Sequence, residues 1–363
     1  MIKLTGYLIV VSFLYVSLFS SIYVISAAVL TRGIVLSNGL LQDFQRDFYF
    51  EGGYRKFWQM QKDCVSLDEE LIYVPNMEAC RFRNPEFDTT LHFDETGRQR
   101  NPTPSLRSKT GIAVLGDSHA MGWGVEDHET FANIIQEELQ RPVYNLAVSS
   151  YGTYRELLRL QQSHVLNKID TILIQYCDND IRENTGIDNQ KTFTKAIKIY
   201  QESYNRHLMG GNWIDLSGLA MFERFIWVAS IHPLHHFSNQ LARISYQWQR
   251  LSTVFETAQK DQYSPDDFRP HYTELMKILA KFNAVLGNKR VVVFYINDRG
   301  NKLKGFPVGQ DSMMPNIEFL ELTFDKHNDF YVLDGHTNPL GHKRIGHTLA
   351  RYLEKPYSAQ SLR

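Results

Sequence analysis

The residues best equipped for chemistry in this chain of 363 residues are a serine, a histidine and an aspartate that each follow an apolar run. Ser118 closes Gly116-Asp117-Ser118, immediately after Gly111–Leu115. A serine hydroxyl is a weak nucleophile until a neighbouring base takes its proton. His336 is the candidate base, because histidine ordinarily titrates near neutrality and can accept that proton and return it to a leaving group. Asp334, two residues earlier, would hold the imidazole in one tautomer and stabilise the imidazolium. The chemistry implied is acyl transfer through a covalent acyl-serine, which also needs preorganised donors for the tetrahedral oxyanion.

Elements able to position such residues are visible in the pattern. The run Gly111–Leu115 reads as a buried strand, and Val143-Tyr-Asn-Leu-Ala-Val-Ser-Ser-Tyr-Gly-Thr153 as a strand breaking into a tight loop before a helix over Tyr154–Gln162. Thr171–Cys177 reads as a third strand ending in Asp178-Asn179-Asp180, and Phe330–Leu333 as a fourth ending in Asp334-Gly335-His336. A helix is expected over Tyr272–Leu286, a strand over Arg290–Ile296 and a helix over His342–Leu353. Reactive groups in open α/β sheets collect beyond the carboxyl ends of the strands, where these polar clusters fall.

Taken in order, the clusters resemble the four blocks of the SGNH (GDSL-type) hydrolase family, over residues 111–184 and 290–352. Ser118 matches the first block. Asn145-Leu-Ala-Val-Ser-Ser-Tyr-Gly152 matches the second, with Ser150 where the family usually has its oxyanion glycine. Asn179-Asp180 matches the third, with Cys177 replacing the leading glycine, and Asp334-Gly-His-Thr-Asn-Pro-Leu-Gly-His342 matches the fourth. There the commonest family form has Asp three residues before the histidine, and Leu333 stands in that place. The shorter Asp-x-His version is familiar among anchored members.

The resemblance implies a three-layer α/β/α flavodoxin-like fold with a mostly parallel sheet. It assigns catalysis to Ser118, His336 and Asp334, and the oxyanion hole to the main-chain N–H groups of Ser118 and Ser150 with the side-chain amide of Asn179. No metal and no organic cofactor is expected. A serine at position 150 can still supply a main-chain N–H, and only a left-handed backbone there would penalise it. Cys177 is read as a small buried hydrophobe, Asp117 as a partner of its own loop's backbone, His119 as a pocket residue, and His342 and His347 as structural or solvent-facing.

The N-terminus carries a second signal. Leu4 to Thr31 contains no charged residue, and about 20 apolar residues suffice to span a bilayer. An uncleaved single-pass anchor over residues 4–31 is expected, with lipid bilayer as partner; Ser26-Ala27-Ala28 keeps a cleaved signal peptide as the alternative. Cys64 and Cys80 lie in a loop-rich stretch where a disulfide would stabilise by about 3 kcal/mol, against the alternative of two unrelated thiols. Disulfides persist mainly outside the reducing cytosol, so the globular part is expected to be periplasmic or otherwise exocytoplasmic.

The organisation expected is an anchor over 1–32, an accessory and linker region over 33–108, and a hydrolase domain over 109–356 with a helical insertion or cap over 185–270. Thr89–Phe93 reads as a strand and Asp94–Gly97 as a turn. In the insertion, His232, His235 and His236 lack the acid or thiol companions of a metal site. With 43% hydrophobic residues and a formal net charge of −1, the chain can build a large core and offers no electrostatic case for nucleic acid. The function expected is a serine esterase or O-acyltransferase acting on O-acyl, chiefly O-acetyl, groups of an envelope glycan. The alternatives are a lipid esterase and a catalytically inactive scaffold of the same fold in a glycan-assembly complex.

Overall fold

The structure, a computed structural model, describes residues 2–37, 39–50, 55–99, 110–177, 180, 184, 198, 201–202, 268–296, 304–312 and 314–355. Asn179 and, apart from residues 198, 201, 202 and 268–270, the whole expected insertion over 185–270 lie outside the described residues. The chain divides into two compact units, one formed by Met1–Arg55 with Met209–Gln262 and the other by Lys56–Leu208 with Tyr263–Arg363.

In the first unit, helix α1 runs Ile2–Thr31 and α2 runs Leu40–Phe50. Tyr23 of α1 meets Phe44 of α2 edge to face, with ring centroids 5.6 Å apart. Buried Gln45 fastens the turn between them: its Nε2 donates to the carbonyls of Ser26 at 3.3 Å and Ile34 at 2.9 Å, and its Oε1 accepts from the Leu36 N–H at 2.8 Å. Among the described residues no helix is long and apolar enough to cross a membrane, so the span expected over residues 4–31 is not supported by the structure.

The second unit begins with two antiparallel hairpins, β1 (Val65–Asp68) with β2 (Ile72–Pro75) and β3 (Cys80–Asn84) with β4 (Phe87–Leu91). Cys64 and Cys80 form a disulfide, Cα to Cα 5.0 Å, that joins the residue entering β1 to the first residue of β3. The chain continues through β5 (Phe93–Asp94), β6 (Gly97–Arg98), β7 (Gly111–Leu115), α3 (Ser118–Met121), α4 (Phe131–Leu139), β8 (Val143–Asn145), α5 (Thr153–Gln162) and β9 (Ile169–Tyr176). It closes with α6 (Arg269–Lys281), α7 (Asn283–Leu286), β10 (Arg290–Tyr295), β11 (Gly309–Gln310), β12 (Ile317–Glu321) and α8 (Pro339–Leu353).

The central sheet has the order β11-β12-β10-β9-β7-β8-β6-β5. Its inner strands β12, β10, β9, β7 and β8 are parallel, and numbered among themselves along the chain they stand in the doubly wound order 2-1-3-4-5. Alternate residues feed opposite layers, as a period of two requires. Ile112, Val114, Leu173 and Phe294 pack with Phe131 of α4 and Ile345 and Leu349 of α8. Ala113, Leu115, Ile172, Ile174 and Val293 pack with Leu157 of α5 and Leu275 and Leu279 of α6. Helices on both faces of a mostly parallel sheet give three layers. The topological switch falls between β7 and β9, which puts Ser118 beyond one strand end and Cys177 beyond the other.

Three expectations change. Phe330–Leu333 is a turn with a single bridge from Phe330 to Thr337, and the fifth parallel strand is Ile317–Glu321. The helix expected over Tyr272–Leu286 breaks at Phe282 into α6 and α7. Thr89–Phe93 splits between β4 and β5, and β5 and β6 extend the central sheet through the pairing of Arg98 with Asn145.

Candidate active site

The loop that carries Ser118 is held from beneath. Gln175 of β9 accepts hydrogen bonds at Oε1 from the N–H groups of Asp117 at 3.1 Å and Ala120 at 3.3 Å. Asp117 caps α3 by accepting from the His119 N–H at 3.0 Å, so Ser118 is presented on the first turn. Arg98 of β6, 1% exposed, carries the other end of that turn. Its guanidinium donates to the carbonyls of Met121 at 2.7 Å, Gly122 at 2.5 Å and Val125 at 2.5 Å, and to Asp127 Oδ1 at 2.7 Å. Burial pulls the guanidinium below its ordinary pKa, and the Asp127 carboxylate opposes that shift.

Ser118 Oγ lies 2.7 Å from His336 Nε2, and both residues are buried. His336 Nδ1 is hydrogen-bonded to Asp334 Oδ1. A ring nitrogen facing a carboxylate carries the proton, which leaves Nε2 as the acceptor for the serine hydroxyl. The compact Asp-Gly-His spacing depends on Gly335, whose φ of +79° turns the chain through a conformation open to glycine. Two aromatic rings lie against the imidazole. The Trp123 ring is stacked on it at 5.2 Å and 20°, and the His119 ring is 4.6 Å away.

The turn preceding His336 is clamped from the β3–β4 hairpin. Glu86 accepts from the N–H groups of Val332 at 2.7 Å, Leu333 at 2.9 Å and Asp334 at 2.8 Å. Two of these bonds take main-chain donors that a strand over Phe330–Leu333 would have used, and the Tyr331 N–H turns back to the His336 carbonyl at 2.8 Å, so the apolar run forms a turn. Burial raises the Glu86 carboxyl pKa, against the pull of the three N–H donors, and the nearby Asp334 charge adds to the rise.

Ser150 occupies the left-handed region at φ +63°, in a turn closed by the Tyr151 N–H on the Val148 carbonyl at 3.1 Å. Its Oγ accepts from Gln59 Nε2 at 3.1 Å and its carbonyl from Arg155 at 2.6 Å, while the preceding Ser149 carbonyl accepts from the Tyr73 hydroxyl at 2.5 Å. No main-chain or side-chain acceptor among the described residues takes the N–H of Ser118 or of Ser150. Asn179 lies outside the described residues.

Cys177 departs from its expected burial. It is half-buried, and its thiol donates to Asp117 Oδ2 at 2.9 Å while its N–H donates to Asp180 Oδ2 at 2.7 Å. His342 is fully buried: Nδ1 accepts from the Phe131 N–H at 3.2 Å, so the proton sits on Nε2, facing Thr337 Oγ1 at 3.2 Å. Burial holds its pKa well below the usual value. His347 pairs with Glu138. Glu86, Arg98, Gln175 and Tyr73 have no sequence signal that marks them, since each acts on a segment distant in the chain.

The arrangement can deprotonate Ser118 through His336 and present main-chain donors to an oxyanion. Among solved structures, the chain is similar to a lipolytic protein of the G-D-S-L family from Desulfitobacterium hafniense (8% identity, 67% of this chain and 98% of that one, TM-score 0.32). It is also similar to a carbohydrate esterase family 2 enzyme with a carbohydrate-binding domain from Corynascus thermopiles (Myceliophthora fergusii) (11% identity, 71% and 68%, TM-score 0.34). A third is a lipase from a goat rumen metagenome (17% identity, 67% and 96%, TM-score 0.27). These overlaps are too loose to assign an activity. No family model matches the chain, and no curated protein does.

Proposed function

We propose that the chain is a serine ester hydrolase or O-acyltransferase of the SGNH (GDSL-type) kind. The observation that carries this reading is the Ser118–His336–Asp334 relay, with Oγ to Nε2 at 2.7 Å and Asp334 on Nδ1. Ser118 Oγ attacks the acyl carbon and its proton passes to His336 Nε2, while Asp334 stabilises the imidazolium. The oxyanion is received by the N–H groups of Ser118 and Ser150, with Asn179 as third donor. His336 then returns the proton to the departing alkoxide, leaving an acyl-serine that water or a sugar hydroxyl resolves.

The substrate class within this proposal is an O-acyl, chiefly O-acetyl, group on an envelope glycan. Attachment to a bilayer through residues 4–31, with the catalytic unit exocytoplasmic, is part of the same reading. It is supported by the uncharged Leu4–Thr31 sequence and, for the exocytoplasmic side, by the disulfide. Fluorophosphonate labelling tests the mechanism: the wild type labels and Ser118→Ala does not. A folded wild type that neither labels nor cleaves any ester overturns it. Release of acetate from acetylated polysaccharide, set against release of fatty acid from long-chain esters, tests the substrate class. A phosphatase or β-lactamase reporter fused at the C-terminus tests the topology.

A further inference from the structure

We infer that Glu86 is a positioning residue for the acyl-serine reaction, its carboxylate fixing the main chain of Val332–Asp334 so that Asp334 meets His336 Nδ1. The inference rests on the reading of Ser118, His336 and Asp334 given above. Three consecutive N–H groups converge on one carboxylate, Val332 on Oε1 and Leu333 and Asp334 on Oε2, all within 2.9 Å. Successive main-chain N–H groups of this kind form a concavity suited to an anion. Here the anion comes from a side chain 246 positions earlier than Val332.

The base of the clamp packs against both loops of the site. Glu86 sits in the short turn between β3 and β4, and the register of that hairpin runs up to the pair Asn84 and Phe87. The Phe87 ring packs against Tyr331 at 5.2 Å and Trp123 at 6.4 Å between centroids. Tyr331 in turn donates its hydroxyl hydrogen to the Gly124 carbonyl at 2.5 Å. The hairpin therefore touches the nucleophile loop and the histidine loop together, and Glu86 sets the height of one against the other. Without it, the freed N–H groups compete for the Asp334 carboxylate, as aspartates readily bond nearby main chain.

Glu86→Gln keeps the side-chain size but turns one acceptor into a donor that faces main-chain N–H groups. The expected result is a kcat lower by about a hundredfold, typical of small misplacement at a reacting centre, with KM little changed and fluorophosphonate labelling slowed in parallel. The downfield proton resonance of the His336 Nδ1–H facing Asp334 shifts or vanishes, and Glu86→Asp, which keeps the charge, recovers part of both signals. Asp88→Asn breaks the exposed ion pair with Arg81 on the same hairpin and leaves kcat unchanged. An unaltered kcat and an unaltered imidazole resonance in Glu86→Gln overturn the inference. So does loss of fold in both Glu86 variants while Asp88→Asn stays folded, because Glu86 is then a stability residue. If the wild type itself does not label, the acyl-serine reading fails, and the imidazole resonance still reports on Glu86.

Discussion

Tyr73 donates its hydroxyl hydrogen to the carbonyl oxygen of Ser149 at 2.5 Å, across 76 positions of chain. The bond ties the β1–β2 hairpin to the loop that carries Ser150. The Glu86 clamp ties the β3–β4 hairpin to the loop that carries Asp334, and the Cys64–Cys80 disulfide joins the two hairpins. Both halves of the candidate site are thus braced by one cross-linked unit. Tyr73→Phe keeps the ring, over which Arg155 lies at 5.4 Å, and leaves the buried Ser149 carbonyl without this donor. The expected loss is about 1–3 kcal/mol of stability, read by denaturant unfolding, with slower fluorophosphonate labelling of Ser118. A variant indistinguishable from wild type in both measurements removes Tyr73 from the brace.

Ser150 stands in a backbone conformation that costs an L-residue about 1–2 kcal/mol. Ser150→Gly relieves that strain but gives up the Gln59 bond and adds unfolded-state freedom of about 0.4–1 kcal/mol. Stability is expected within about 1 kcal/mol of wild type, and labelling of Ser118 is retained, because the proposed donor is main-chain. Ser150→Val keeps the N–H but adds a β-branch at φ +63°, so its unfolding midpoint falls. If Ser150→Gly loses labelling while folded, the side chain and not the N–H is what matters at this position.

His342 makes stability depend on pH. Its folded-state pKa lies well below the ordinary 6.5, first because of burial and then because of the charges of Arg98, His119 and His336. Above about pH 6.5 neither the folded nor the unfolded state binds a proton at this residue. Below it the unfolded chain takes a proton that the folded one refuses, so stability falls as pH drops towards the depressed value, by up to about 1.4 kcal/mol per pH unit. Denaturant unfolding at about pH 7.5 and about pH 5.5 should show a wild-type loss roughly 1 kcal/mol larger than that of His342→Gln. Equal losses in the two proteins assign the acid sensitivity elsewhere.

Ser118, His336 and Asp334 are legible in the sequence because each stands where an apolar run stops, and that discontinuity is local. Strands β7, β9 and β10 of the eight-stranded sheet are legible for the same reason: they are buried along nearly their whole length and read as apolar runs. Phe330–Leu333 has the same look yet forms a turn: the N–H groups of Val332 and Leu333 go to a glutamate far away in the chain, and that of Tyr331 goes to the His336 carbonyl. Ile317–Glu321 is a strand whose two glutamates hide it, one of them paired with Arg290 at 2.9 Å. Glu86, Arg98 and Tyr73 are ordinary polar residues in a stretch of weak periodicity. Only the tertiary fold brings their partners, so nothing near them in sequence marks their roles.

Arg98 provides the test of whether the β5–β6 extension is part of the site's support. Its guanidinium spans four acceptors, three of them carbonyls of the segment that follows Ser118. Asp127 keeps a second partner in His92, at 2.6 Å, but the carbonyls of Met121, Gly122 and Val125 lose the donor that holds them. Removing one member of a buried ion pair costs about 3–5 kcal/mol, and Arg98→Met is expected in that range. Arg98→Lys keeps the charge but not the planar fork, so it recovers only part. Where both variants are still folded, Ser118 labelling should slow in the order wild type, Lys, Met, because the last turn of α3 is freed in that order. An Arg98→Met protein with the wild-type unfolding midpoint and labelling rate would show that the nucleophile loop holds its shape without the extension.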